Sequence, residues 1–235
     1  MSALPEVEAR LAELETTASL AWWEMACDSS EATSAAAEAA SAAMEHLLAD
    51  PEVAAAAVPV AETALEQRRA EVLRLMTAGR QRPAELIDRV VALETELMGM
   101  HSTYRATCDG SELDAAAVDR VLMESIDLAE REQVWRSARG VGAAVDESLR
   151  ELVRLRNQGA RALGHRDHYA MTLANDELDE QRLYGLFDAL HLALDPAWTA
   201  ERELIARERR TALGLAVDAP LMPWHLVDVF GQDPP

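Results

Sequence analysis

Helical spacing of apolar residues is the feature that most constrains the fold of this chain. Apolar residues recur every three or four positions in nearly every segment, which places them on one face of a helix. The first such stripe contains Leu4, Val7, Leu11, Leu14, Ala18 and Ala21. Residues that start and end helices separate the stripes, for example Asp50-Pro51 and Gly79. The sequence therefore predicts an all-α protein without a sheet of three or more strands.

The stripes and caps together predict where each helix begins and ends. The predicted helices cover residues 3–26, 32–49, 51–78, 83–107, 115–124, a helix begun by Asp127, 141–163, two begun by Asp167 and Asp179, and a last one from Pro196 to about Leu213. The segment Cys108-Asp-Gly-Ser is predicted to be a turn, and the proline-rich last twenty residues an extended segment.

Composition supports helices and excludes several classes of function. Of the 235 residues, 49% are hydrophobic and only 4% are aromatic, which favours closely packed helices over sheets. The net charge is −20, from 42 acidic and 22 basic residues, so the surface repels phosphate backbones and nucleic acid is not an expected partner. No run approaches about 18 apolar residues, and the start of the chain lacks a signal-peptide pattern, so no membrane association is expected.

The two cysteines and the absence of targeting signals point to a cytoplasmic protein. Cys27 and Cys108 are far apart in sequence and lack C-x-x-C spacing, so they are interpreted as free, mostly buried thiols. A single disulfide between them is the alternative.

No catalytic or metal-binding motif can be recognised in the 235 residues. His-Glu-x-x-His is absent, as are the G-x-S-x-G nucleophile motif and a complete dinucleotide loop around Gly140 and Gly142. His165 and His168 are the closest histidine pair, but their spacing is i, i+3 and no third ligand is evident. The sequence therefore predicts no catalytic residue and no metal ligand in this chain.

Charged and aromatic residues have mainly structural interpretations. The acidic run Asp176, Glu177, Asp179 and Glu180 is expected to stabilise the N-terminus of the next helix, with cation binding as the alternative. Glu130-Arg131 is expected to be solvated or salt-bridging charge. Trp135 is expected in the core. Trp22 and Trp23 cannot both face inward on one helix, so one of them is a candidate for contact with a peptide or with a further part of the protein.

Two segments carry a resemblance to a known family. They run from Val134 to Leu173, and over the ending Leu221–Pro235 with Pro223-Trp-His225, Phe230 and Gln232. In the order and spacing of these pieces the chain resembles zinc oligopeptidases related to angiotensin-converting enzyme and thimet oligopeptidase. The resemblance implies the N-terminal half of a two-lobed helical metallopeptidase with a deep peptide channel.

The resemblance also implies two regions with different roles and a substrate-binding site. Residues 1–112 would form lid-like helices and residues 113–235 the helical wall of the channel. Trp224 and His225 match a segment near the cleft, and are therefore the candidate substrate-binding residues; the alternative is a structural turn. The zinc motif and the glutamate ligand would follow the end of this chain, so zinc is expected in a full-length family member.

The expected function is thus that of an N-terminal part of a zinc metallopeptidase that hydrolyses short peptides. This part is expected to bind no stoichiometric zinc and to be inactive as it stands, because it lacks the residues that hold the metal and activate water. Two alternatives stay open: a stand-alone all-helical binding or scaffolding protein, and a subunit that pairs with a separate catalytic C-terminal half.

Overall fold

A computed structural model describes residues 4–57 and 63–230 of the chain, and these residues are almost entirely helical. The elements are α1 Leu4–Cys27, α2 Glu31–Ala49, α3 Pro51–Ala56, α4 Ala64–Ala78, α5 Ala84–Thr103, β1 Ala106–Cys108, β2 Ser111–Leu113, α6 Ala115–Glu124, α7 Leu128–Arg139, α8 Val141–Ala162, α9 His168–Asn175, α10 Glu180–Ala212 and a 3₁₀ turn Pro223–His225. The all-α prediction is confirmed. Within the described ranges the strands form only a two-stranded antiparallel hairpin.

Side-chain caps start most of these helices, as their sequence signals predict. The carboxylates of Asp50, Asp114, Asp127 and Asp167 each accept a hydrogen bond from a backbone N–H in the first turn of the following helix. Ser30 begins α2 with a reciprocal capping box to Thr33. These bonds satisfy N–H groups that have no partner within the helix.

The predicted helix over residues 51–78 is wrong, because the structure has two helices there. Helix α3 ends at Ala56 and α4 begins at Ala64. Thr63 and Glu66 form the capping box that starts α4, a signal that the apolar spacing concealed.

The fourth predicted helix is too long at its C-terminal end. Helix α5 ends at Thr103 rather than Thr107, and the chain continues into the hairpin β1–β2. Asp109 and Gly110 connect the strands with φ angles of 50° and 80°. Positive φ at both central residues is typical of the Asp-Gly turn that closes a two-residue hairpin.

Pro196 does not begin a helix but lies inside α10, which runs unbroken for 33 residues. A proline within a helix removes one backbone hydrogen bond and normally kinks or ends the helix. The flanking sequence has strong helix formers on both sides, and the helix continues past the proline. The predicted start of a separate helix at Pro196 is therefore wrong.

The chain divides into two compact units. Unit 1 comprises Met1–Ser102 and Glu147–Leu183, and unit 2 comprises Thr103–Asp146 and Tyr184–Pro235. The predicted division into lid-like helices and channel wall near residue 112 concerns function, and stays a prediction.

Unit 1 has two apolar clusters. The first lies between the four helices α1, α2, α3 and α4. It contains Leu4, Val7, Leu47, Leu48, Val53, Ala57, Ala70 and Leu73. The second joins α5 to α8 through Val90, Leu93, Leu152 and Leu155. The apolar stripes of α1, α5 and α8 thus supply much of the core. Leu149 and Val153 depart from the predicted stripe of α8, with 46% and 49% of their surface exposed.

Unit 2 is built around the hairpin and two short helices. Its cluster contains Ala106, Val118, Leu122 and Val134, with Trp135, Val229 and other partly buried residues packed around it. The predicted core position of Trp135 is confirmed in this sense. The expectation for the cysteines is only partly correct, since both are free but Cys27 is exposed and Cys108 is partly buried.

None of the helices described in the structure has the length and apolar character needed to cross a membrane.

Candidate functional site

The two predicted substrate-side residues lie together in a buried turn of unit 2. Trp224 and His225 belong to the 3₁₀ turn Pro223–His225, and only 8% and 6% of their surfaces are exposed. The ring centroid of Trp224 lies 5.8 Å from that of Trp135, in a tilted arrangement. Packing of this kind stabilises aromatic pairs in cores. The turn is therefore part of the interior of unit 2.

Arg131 anchors this turn from helix α7. Its guanidinium is fully buried and donates hydrogen bonds to four backbone carbonyls, at 2.7–2.8 Å: Leu122, Ser125, Trp224 and Leu226. Burial, and secondly the nearby Arg209, lowers the pKa of Arg131 to about 10. The prediction that Glu130-Arg131 is solvated or salt-bridging charge is wrong for Arg131. Its position on the apolar stripe of α7, three or four residues from Leu128, Val134 and Trp135, is the sequence signal that distinguishes it from the exposed arginines of the same helix.

Arg209 and two aromatic contacts complete the anchoring of the segment. Arg209 Nε donates to the carbonyl of His225 at 2.8 Å, and Trp135 Nε1 donates to the carbonyl of Val229 at 3.1 Å. The guanidinium of Arg136 lies 4.8 Å from the ring centroid of Trp224, within cation–π range. Donors from α7 and α10 thus bind a segment that has few backbone hydrogen bonds of its own.

The surroundings of His225 favour a neutral imidazole. Its Nδ1 accepts a hydrogen bond from the backbone N–H of Met222 at 3.1 Å. Burial, followed by the positive charges of Arg131 and Arg209, lowers the pKa of His225 below its ordinary value. A neutral ring with Nδ1 as acceptor carries its proton on Nε2, so Nε2 is the ring atom that can donate a hydrogen bond.

A second polar site lies in unit 1, as a cavity of about 340 Å³. Its wall is formed by α5, α8, α9 and the connection between α4 and α5, and includes Arg82, Arg156 and His168. Arg156 pairs with Glu94 at 2.8 Å. Arg82 Nε and His168 Nδ1 are buried and have no hydrogen-bond partner among the described residues. This cavity cannot be recognised in the sequence, because its residues come from segments that are far apart in the chain and include Glu45 of α2.

The histidines do not assemble a zinc site in the described part of the chain. His46 Nε2 lies 2.6 Å from Asp88 Oδ1, but no third ligand joins them. More generally, no group of three His, Cys, Asp or Glu residues suitable for a metal occurs within residues 4–57 and 63–230. His168, one member of the closest histidine pair, has Arg82 and Arg156 as neighbours, and such neighbours oppose a cation. These residues do not fit a resident zinc ion.

The acidic run before α10 is engaged in contacts within unit 1. Glu177 pairs with Arg68 at 2.6 Å, and Glu180 pairs with Arg166 at 2.9 Å. Asp179 accepts from the backbone N–H of Arg182 at 2.7 Å, as the predicted cap of α10. The predicted role at the N-terminus of the next helix is therefore confirmed for Asp179 and Glu180, whereas Glu177 pairs with α4.

The tryptophan pair of α1 is divided as its spacing predicts. Trp22 is partly buried and donates through Nε1 to Ser41 Oγ at 2.9 Å, whereas Trp23 is 70% exposed. Trp23 is thus the one of the two that stays available for an external contact.

Comparison with known proteins identifies the family. The sequence model of peptidase family M2, described as angiotensin-converting enzyme, matches residues 2–204. The match includes the N-terminal helices, which precede both segments that carry the resemblance, and ends before Trp224 and His225. A comparison with curated proteins finds no match. Because the family model covers most of the 235 residues, this chain belongs to the angiotensin-converting enzyme family of peptidases.

Proposed function

We propose that this chain forms the non-catalytic helical part of a zinc-dependent peptidase that cleaves short peptides, and that it works in the cytoplasm. The observation that carries the proposal is the family match over residues 2–204. The family is zinc-dependent, whereas the 235 residues contain no His-Glu-x-x-His. The metal and its activated water would therefore come from a separate part of the enzyme.

The surface of α10 supports a role in docking. Six large apolar side chains of this helix are at least half exposed: Tyr184, Leu186, Phe187, Leu192, Leu194 and Trp198. Apolar surfaces of this extent are typical of protein–protein contacts. We propose that α10 packs against the part of the enzyme that holds the zinc, and that the two parts together enclose the peptide channel.

A mixing experiment tests this function. The full chain is combined with a separately produced family segment that carries His-Glu-x-x-His, and cleavage of a fluorogenic short peptide is measured with zinc present. We expect no cleavage by the chain alone and a clear gain over the zinc-binding segment alone. Phe187→Glu and Trp198→Glu should reduce that gain, whereas Leu65→Glu, at a 69% exposed position on α4, should not.

Two results would reject the proposal. Cleavage by the chain alone with zinc would show that it carries its own catalytic centre. No gain on mixing, with a chain that is stable by itself, would favour the alternative of a stand-alone helical binding protein.

The substrate-side role of Trp224 and His225 is also a proposal, and it concerns His225 Nε2. The substitution His225→Asn keeps an acceptor near Nδ1 for the Met222 N–H and removes the Nε2 donor. In the reconstituted enzyme we expect a higher KM with a melting temperature close to that of the parent. An unchanged KM would leave the turn with its structural role only.

A further inference from the structure

The cavity in unit 1 contains a buried cation whose hydrogen bonds are incomplete. The Arg82 side chain is only 8% exposed, and its contact with a carboxylate is a 3.6 Å distance from a terminal nitrogen to Glu45 Oε2. That distance exceeds a hydrogen bond, and Arg82 Nε has no partner among the described residues. Buried guanidinium groups normally have well-placed acceptors.

The carboxylates near Arg82 are already engaged by other arginines. Glu45 accepts from Arg80 Nε at 2.9 Å, and Glu94 accepts from Arg156 at 2.8 Å. The three arginines therefore share two closely paired carboxylates along the cavity wall. Asp176 is a third carboxylate on the lining, so arginines and carboxylates are equal in number. Arg82, whose Nε has no partner among the described residues, lines a space of about 340 Å³, large enough for a small organic molecule.

His168 supplies a second group to the same space. Its Nδ1 is buried without a partner in the described chain, while its backbone N–H donates to Asn157 Oδ1 at 2.9 Å and so fixes the residue at the start of α9. Burial, then Arg156 and Arg82, lowers the pKa of His168, and Asp167 opposes this change. The other charged residues that line this cavity are Glu45, Arg80, Glu94 and Asp176. An anion bound in the cavity would stabilise the protonated imidazole and so raise the pKa of His168.

Two glycines provide the space that the side chains of Arg82 and Asn175 occupy. A Cβ atom at Gly159 would lie 2.7 Å from Arg82 Cδ, and one at Gly79 would lie 2.7 Å from Asn175 Nδ2. Gly159 is a buried residue of α8, so an alanine at this position would displace the Arg82 side chain. The position of Arg82 at the cavity thus depends on a glycine in a facing helix.

We propose that the unit 1 cavity binds a small free carboxylate, which accepts hydrogen bonds from Arg82 Nε and from the His168 ring. The planar guanidinium matches the geometry of a carboxylate, and its strength as a donor is greatest where water is excluded. This site lies within unit 1 and requires neither zinc nor a peptide.

Acetate is the probe that tests the site in the full chain, with acetamide as a neutral control of similar shape. We expect acetate to raise the melting temperature in a saturable manner and to shift the ring resonances of His168 with an increase in its pKa. Acetamide should do neither. Arg82→Met should weaken acetate binding at least tenfold, whereas Arg154→Met, at an exposed arginine of α8 outside the cavity, should leave it unchanged.

Three outcomes would overturn the proposal. One is an equal response to acetate and acetamide, and another is an equal response to acetate in the parent and in Arg82→Met, which would indicate a general salt effect. The third is the absence of any acetate response while the His168 ring and melting behaviour show a folded parent, which would mean that water alone fills the cavity. If Arg82→Met fails to fold, Gly159→Ala replaces it, because it displaces Arg82 without removing the charge; it should also weaken acetate binding.

Discussion

Arg131 in unit 2 and Arg82 in unit 1 are both buried arginines, but their surroundings differ. Arg131 donates to four carbonyls of its own unit at hydrogen-bond distance. Arg82 has a 3.6 Å contact with Glu45 and a buried Nε without a partner in the described chain. A cation whose three nitrogen atoms all donate to backbone carbonyls stabilises the fold, whereas one with an unpartnered nitrogen costs stability and can bind a ligand.

The difference in surroundings predicts that Arg131 stabilises the fold and that Arg82 binds a ligand. Removing Arg131 leaves several buried acceptors without a donor, which costs far more than the average hydrogen bond contributes. Removing Arg82 relieves the cost of burying a charge, and Glu45 keeps its 2.9 Å bond to Arg80. The two substitutions should therefore affect stability in different ways.

The largest expected effect comes from Arg131→Met. Loss of the donors to Leu122, Ser125, Trp224 and Leu226 should lower the free energy of unfolding by about 3–5 kcal/mol. Urea unfolding followed by tryptophan fluorescence measures the change, because Trp135 and Trp224 lie beside the site. Arg120→Met, at an exposed position on α6, is the matched control and should change stability by less than about 0.5 kcal/mol. Equal effects of the two substitutions would contradict the anchoring role.

A smaller effect is expected when Gly159 and Arg82 are changed together. Gly159→Ala alone should destabilise the chain by about 1–2 kcal/mol, since the new Cβ would lie 2.7 Å from Arg82 Cδ. In an Arg82→Ala background that contact is gone, and the same substitution should be neutral or stabilising through higher helix propensity. A double-mutant cycle from urea unfolding measures the coupling. If the two substitutions change the free energy of unfolding additively, Arg82 and Gly159 do not contact each other.

The pH dependence of stability should depend on His225. Folding lowers its pKa from the ordinary value of 6.5, so the unfolded chain binds more protons as the pH falls below about 6.5. Stability is therefore full above that pH and decreases as the pH falls from about 6.5 towards the lower pKa of the folded state. His225→Asn should reduce this decrease. His101→Asn, at an exposed position on α5, is the control; an identical profile for both variants would refute the role of His225.

The smallest effect on stability is expected from Arg82→Met. Without added carboxylate, the free energy of unfolding should stay within about 0.5 kcal/mol of the parent or rise above it, because methionine fills similar space without a buried charge. Urea unfolding in a carboxylate-free buffer is the measurement. A loss comparable to that of Arg131→Met would mean that Arg82 stabilises unit 1 by itself.

The sequence predicts the helices of this chain better than its polar sites. Caps such as Asp114 and Asp127 are local signals, and the helices that they begin are where the spacing places them. The errors at Thr63 and Pro196 arise where one local signal competes with another. The stripe position of Arg131 indicates that it faces inward, but its hydrogen-bond partners, and the burial of Arg82, depend on segments distant in sequence. Arg131, for example, bonds to carbonyls 93 and 95 residues away.

NMR of the arginine Nε–Hε groups in the ¹⁵N-labelled chain tests the central claim most directly. The resonances of Arg82 and Arg131 are identified by their loss in Arg82→Met and Arg131→Met. The Arg131 Nε–Hε group, bonded to the Trp224 carbonyl at 2.8 Å, should exchange slowly with solvent, and acetate should not shift its resonance. The Arg82 group should exchange faster and move progressively as acetate is added. An Arg82 group that is protected without acetate and unaffected by it would contradict the distinction between an arginine that holds the fold and one that binds a ligand.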